Sequence, residues 1–167
     1  MTADAPDSLT DPATLRDREA VAVREETQVV DAAEFADTTE LESHVVVGVA
    51  SEAGVLLQND GHHGWTLPAF PVEAGDDWLA VARREFERLT GVSVTIDAVE
   101  RLRAHEYRVP DTGDSTTVYN VVVRTTPTAR IPEGPQSRVD GTEIQWFVDV
   151  PEHAPGPVAA DVELFVD

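Results

Sequence analysis

The segment "DWLAVARREFERLTGV" constrains the fold more than any other stretch of the chain. Between Asp77 and Leu89 the apolar residues Leu79, Ala82, Phe86 and Leu89 recur at spacings of three, four and three. That spacing puts them on one face of an α-helix. Acidic residues open the segment, and Gly91 lies just past its end, where a left-handed residue commonly stops a helix. A helix with one apolar stripe must lay that stripe on another element, and the flanking sequence supplies one. "HVVVGVA" and "GVLLQND", separated by "SEAG", read as a β-hairpin, and "VSVTIDAVERLRAHEYRV", "TTVYNVVVRTTP" and "EIQWFVDVP" read as further strands. "DTGDS" is a turn, "DGHHGWTLPAFP" a loop by its glycine and proline content, and "GPVAADVELFVD" a short C-terminal helix. The expected class is α+β: a mixed β-sheet with helix 77–89 packed on it.

A chain of 167 residues suits one domain with a short appendage. Residues 1–43 read as that appendage and residues 44–167 as the main domain. In "SLTDPATLRDREA", Asp11 is placed to cap a helix that begins at Pro12. "AVAVREETQVV" has the β-branched alternation of a strand, and "DAAEFADTTELES" is one more helix or an acidic linker.

The charge excludes several partners. The chain has 32 acidic against 12 basic residues, a formal net charge of −20, and every basic residue is Arg. Self-repulsion on that scale opposes a compact state, but in molar salt the Debye length falls to about 3 Å and screens it. The absence of Lys beside this acid surplus points to a haloarchaeal-type, cytoplasmic protein. Nucleic acid is excluded as a partner, since phosphate binding requires a basic patch and Arg83, Arg84 and Arg88 share their segment with Asp76, Asp77, Glu85 and Glu87. Cysteine is absent, which removes disulfides, thiolate metal sites and thiol nucleophiles. The first residues lack a basic-then-apolar leader, and the apolar run Val45–Ala50 is far too short to span a membrane.

In the order hairpin, "GWTLP" loop, "VEAGD", "ARREF" helix and "TGV", roughly residues 44 to 150 resemble the Nudix hydrolases. The resemblance implies an α/β/α Nudix-like sandwich that cleaves nucleoside diphosphates linked to another group, usually with Mg2+. The family pattern runs glycine, five residues, glutamate, seven residues, Arg-Glu, an apolar residue, any residue, Glu-Glu, any residue, glycine and an apolar residue. Arg84, Glu85 and Phe86 match the central triplet, and Gly91 and Val92 match the end. Asp76 stands at the first glutamate, Phe70 at the first glycine, and Arg88 and Leu89 at the Glu-Glu pair. The family's helix glutamates converge on one metal cluster because residues three and four apart share a face; here that face presents Glu85, Arg88 and Leu89. Arg88 has no lone pair to ligate a cation, and Leu89 extends the apolar stripe.

Transferred residue by residue, the resemblance makes Glu85 and Arg84 the catalytic candidates and Glu85 and Asp76 the candidates for a weak metal site; Arg88, by its charge, and Trp65, by its ring, are the ligand-binding candidates. The primary expectation is a degenerate site that binds a nucleotide-like small molecule with weak or no hydrolysis, Arg88 taking the metal's place on a phosphate. A second reading keeps an active Mg2+-dependent hydrolase in which Glu85 works with Glu106, Glu133 or Glu143. A third makes the domain a non-catalytic interaction module and the Glu85–Arg88 pair a surface salt bridge. His62-His63 reads as a solvated turn between Gly61 and Gly64, and His105 as a partly buried strand residue. Tyr107 joins Trp65 as an aromatic that either stacks on a base or packs, and Trp146 and Phe147 cover the sheet.

Overall fold

The computed structural model describes residues 8–39, 41–62, 64–152, 154 and 156–166. A short 3-10 helix (Pro12–Asp17) is followed by β1 (Ala22–Val29), α1 (Ala32–Thr38), β2 (Ser43–Ser51), β3 (Gly54–Asn59), β4 (Trp65–Thr66) and β5 (Ala69–Val72). Then come α2 (Trp78–Thr90), β6 (Val94–Arg108), β7 (Ser115–Pro127), β8 (Glu143–Phe147) and α3 (Gly156–Glu163). The main ladder runs β1-β6-β7-β2-β3-β4, with β5 on β2 and β8 on β3. β1 runs parallel to β6 and β2 parallel to β7, while β6 and β7 are antiparallel, so the sheet is mixed.

The valine run of β2 follows from burial on both faces, which favours continuous apolar sequence over alternation. Val45, Val47 and Val49 enter one core with Phe70, Leu102, Val121 and Val123, and α2 covers it. Val46 and Val122 face the other way, under Val162 and Phe165. Helices therefore cover both faces, as the sandwich expectation required. The stripe on α2 packs as its spacing demands: Leu79, Ala82, Phe86 and Leu89 are all buried, joined by Trp78 and Val81.

Gly48 interrupts the valines for a steric reason. A Cβ there would overlap the far end of the Phe165 ring, which is packed against the strand. The Arg124 guanidinium lies over that ring, 4.6 Å from its centroid.

The N-terminal segment is built into the same structure. Asp11 caps the 3-10 helix by accepting from Ala13 N, with Pro12 in its first turn, and Asp31 caps α1 through Glu34 N. Leu9, Leu15 and Val21 belong to the α2-side core. The backbone of Leu9 bonds twice to the start of α2: its N–H donates to the Asp77 carboxylate at 3.0 Å, and its carbonyl accepts from Trp78 N at 2.7 Å.

The stretch expected as a loop, "DGHHGWTLPAFP", contains two short strands. β5 pairs antiparallel with β2, Phe70 opposite Val45, because its apolar side chains complete the α2-side core despite Pro71. That proline sits at an edge, where a missing N–H is tolerated.

Candidate functional site

The caps of α2 fix the position of Glu85. Asp77 accepts from Leu79 N at 3.1 Å, and Gly91 closes the helix at φ 78, its N–H bonded to Glu87 O at 2.7 Å. A Cβ on Gly91 would collide with the Arg138 guanidinium, so the glycine serves a close approach as well as a left-handed turn. With Phe86 and Leu89 locked in the core, Glu85 is carried on the flank of the helix, its side chain 22% exposed.

There Glu85 is held between two guanidinium groups. Arg88 Nη1 donates to its Oε2 at 3.0 Å, and Arg84 Nε approaches its Oε1 at 3.5 Å. The arginine side chains are 68% and 66% exposed. Leu89, at the position of the second glutamate of the pattern's pair, is 2% exposed. Phe70, at the glycine position, is buried in β5. Asp76 is engaged in its own turn: its Oδ2 accepts from Glu73 N, and its N–H donates to Glu73 O, each at 3.1 Å. Among the described residues no group of three or more acidic or histidine side chains is gathered as a cation site.

The distal carboxylates are dispersed. Glu106 accepts from Arg108 Nη2 at 2.9 Å, Glu143 stands opposite Asn59 in β8, and Glu133 borders a separate hollow beside Arg130 and Trp146. Trp65 packs half-buried against Phe147, ring centroids 5.0 Å apart. His105 stacks on Tyr107 at 4.4 Å and bonds to Gln28 of β1 at 3.2 Å, which makes it a partly buried strand residue as expected. His63 lies outside the described residues.

A further concavity lies on the other side of the sheet. A cleft of about 600 Å³ opens between α3 and strands β2, β3, β6 and β7. Its polar lining includes His44, Gln58, Thr66, Arg103, Asn120 and Asp161, over an apolar floor of Val46, Leu67 and Ala69. None of the described lining residues comes from α2. Asp161 accepts from Arg101 Nη1 at 2.7 Å and from Arg103 Nη1 at 3.1 Å, fastening α3 to β6.

Sequence reasoning passed over this group, although two signals were present. In "RLRAHEY" the polar residues 101, 103, 105 and 107 alternate onto one face. In "PVAADV" a single acid sits within an apolar helical run, where it must find a partner if buried.

No family model and no curated protein matches the chain. Among solved structures, a UDP-X diphosphatase is similar over 81% of this chain and 70% of its own, at 14% identity and a TM-score of 0.52. A nudix hydrolase family member from Chromobacterium violaceum is similar over 76% of this chain and 77% of its own, at 13% identity and 0.49. A NUDIX hydrolase from Nitrosomonas europaea is similar over 74% and 69%, at 18% identity and 0.47. The fold is that of the Nudix hydrolases.

Proposed function

We propose that this Nudix-fold chain is a member of the nucleoside-diphosphate-X hydrolase family that binds a nucleotide-like small ligand with weak or no hydrolysis. The observation that carries the reading is the clamp on Glu85, whose carboxylate is paired with Arg88 at 3.0 Å while Leu89 is committed to the core. Magnesium demands near-octahedral oxygen coordination and gives up water reluctantly. On this helix face it would meet one carboxylate, already paired, beside a positively charged guanidinium that has no lone pair to offer. The residues do not fit the cation.

What remains on the face suits an anion. Arg84 and Arg88 are exposed, and Arg88 can turn from Glu85 to a phosphate oxygen, where its planar fork gives paired charge-assisted hydrogen bonds. The test is a titration with Mg2+ at high salt, with metal-free binding and turnover measured on nucleoside diphosphate compounds. UDP-linked ones belong in the panel because a UDP-X diphosphatase shares the fold. Expected are millimolar or weaker Mg2+ affinity, ligand binding that survives EDTA, and negligible turnover. Robust Mg2+-dependent hydrolysis abolished by Glu85→Gln would overturn the proposal.

A further inference from the structure

The charges beside the cleft have no part in that reading. Arg101 and Arg103 flank Leu102 on β6, rise on the α3 side, and among the described residues converge on Asp161. The side chains of Arg101, Arg103 and Asp161 are 9%, 19% and 11% exposed. Within this trio two guanidinium groups share one carboxylate, and all three side chains are largely buried. Arg101 Nε is also buried with no acceptor among the described residues. Unmatched buried donors and charges are costly, and each calls for an explanation. Scarcity of acid is not one, since acidic residues outnumber basic ones 32 to 12. Arg103 and Asp161 both line the cleft, so a guanidinium that has only a share of one carboxylate borders a space large enough for a small molecule. Asp60, a second acid on the wall, accepts the backbone N–H of His62 at 2.8 Å, whereas the ion pairs of Arg101 and Arg103 are with Asp161.

We infer that Arg103, backed by Arg101, is an oxyanion subsite of the cleft, and that Asp161 is its built-in occupant. A phosphoryl or carboxylate group entering the cleft takes Arg103 from Asp161, which keeps Arg101. Three residues then carry two positive charges and, with the ligand, at least two negative ones. Because Asp161 belongs to α3, the exchange removes one of the helix's two ionic ties to β6 and couples ligand entry to the seating of α3. The inference rests on the small-ligand reading above, but places the anion contact on β6 instead of α2.

The experiment titrates inorganic pyrophosphate and, separately, malonate into the full chain by calorimetry, in EDTA at constant salt. Wild type is compared with Arg103→Gln, Asp161→Asn and Arg88→Gln. Arg103→Gln leaves the Arg101–Asp161 pair balanced, so it folds, and it binds at least tenfold more weakly. Asp161→Asn removes the competitor and binds at least tenfold more tightly. Response to pyrophosphate alone identifies a phosphoryl ligand, response to malonate alone a carboxylate, and response to both a general oxyanion site. Unchanged affinity in Arg103→Gln overturns the inference, even if Asp161→Asn fails to fold, and so does a wild type that binds neither anion. Loss in Arg88→Gln alone also overturns it and leaves the α2 reading standing. Loss in Arg103→Gln alone supports it and removes the phosphate contact from α2.

Discussion

Substituting Arg88 by Glu changes the charge at one point of α2 by two units, and its effect on Mg2+ can be worked out. Residues at i and i+3 lie about 5 Å apart, so an ion held at Glu85 would sense the change at about that range. At that distance in water each unit charge interacts with a divalent ion by about 1.7 kcal/mol, so the two-unit change is worth about 3.3 kcal/mol. A Debye length of about 10 Å at 0.1 M salt reduces this to about 2 kcal/mol, a gain of about thirtyfold in affinity. At about 3 Å in molar salt it shrinks below about 1 kcal/mol. The structural cost is small, because the Glu85–Arg88 pair is exposed on the arginine side and such pairs contribute about 0.2–1 kcal/mol. Leu89→Glu behaves differently. Leu89 is 2% exposed, and losing its burial costs about 2–5 kcal/mol before the carboxylate's desolvation is counted. The double substitution restores carboxylates at both pattern positions but approaches the whole stability of a typical domain, about 5–15 kcal/mol. Phe70 still fills the glycine position, so little activity returns. Calorimetric Mg2+ titration at two salt concentrations, with a denaturation curve for each variant, checks all of this. Unchanged Mg2+ affinity in Arg88→Glu at low salt would refute the reasoning, as would tight binding by the unmodified chain.

Three other outcomes are expected. The net charge of −20 should make the melting temperature rise by about ten degrees or more from 0.1 M to molar salt, and a flat profile would remove the halophilic interpretation. Gly48→Val should cost about 1–3 kcal/mol or more by driving Phe165 from β2 and unstacking Arg124, read as a lower denaturant midpoint with the fold retained. Asp77→Ala should cost about 1–2 kcal/mol, because one carboxylate satisfies both Leu79 N and Leu9 N. In that variant, protease should cut first in the N-terminal segment, and unchanged cleavage would mean that Leu9 is held by its apolar contacts alone.

Local pattern was enough to place α2, both of its ends and the strands that alternate or run apolar, because each signal is written within one element. The structure puts the stripe Leu79, Ala82, Phe86 and Leu89 in the core where the spacing put it. β5 was not legible, since Pro71 and the nearby glycines argue for a loop and only pairing with β2 turns Ala69–Val72 into a strand. The parallel placement of β1 beside β6 was equally hidden, because Val23 and its partner Leu102 are remote in sequence. For the candidate site, the motif directed attention to Glu85, Arg84, Arg88, Asp76 and Trp65, and the cleft group was missed. Arg101, Arg103 and Asp161 match no contiguous pattern. Their meeting depends on α3 folding over a strand some sixty residues earlier, with the Arg101–Asp161 bond separated by 60 positions.

The two arginine clusters should respond differently to salt, and that bears on which of them can hold an anion as ionic strength rises. On α2 the guanidinium groups of Arg84 and Arg88 are about two-thirds exposed, so counterions reach them and molar salt screens them within about 3 Å. The side chains of Arg101 and Arg103 are 9% and 19% exposed, and buried or partly buried charges are screened much less. An anion bound at α2 should therefore lose most of its electrostatic affinity between low and molar salt, while one bound at Arg103 should lose far less. Pyrophosphate affinity measured against salt separates the two without any substitution. A steep fall assigns the contact to the exposed helix face, and a shallow one assigns it to the cleft. In molar salt, recognition by sheltered guanidinium groups would keep working where an exposed carboxylate-and-metal surface site would be screened.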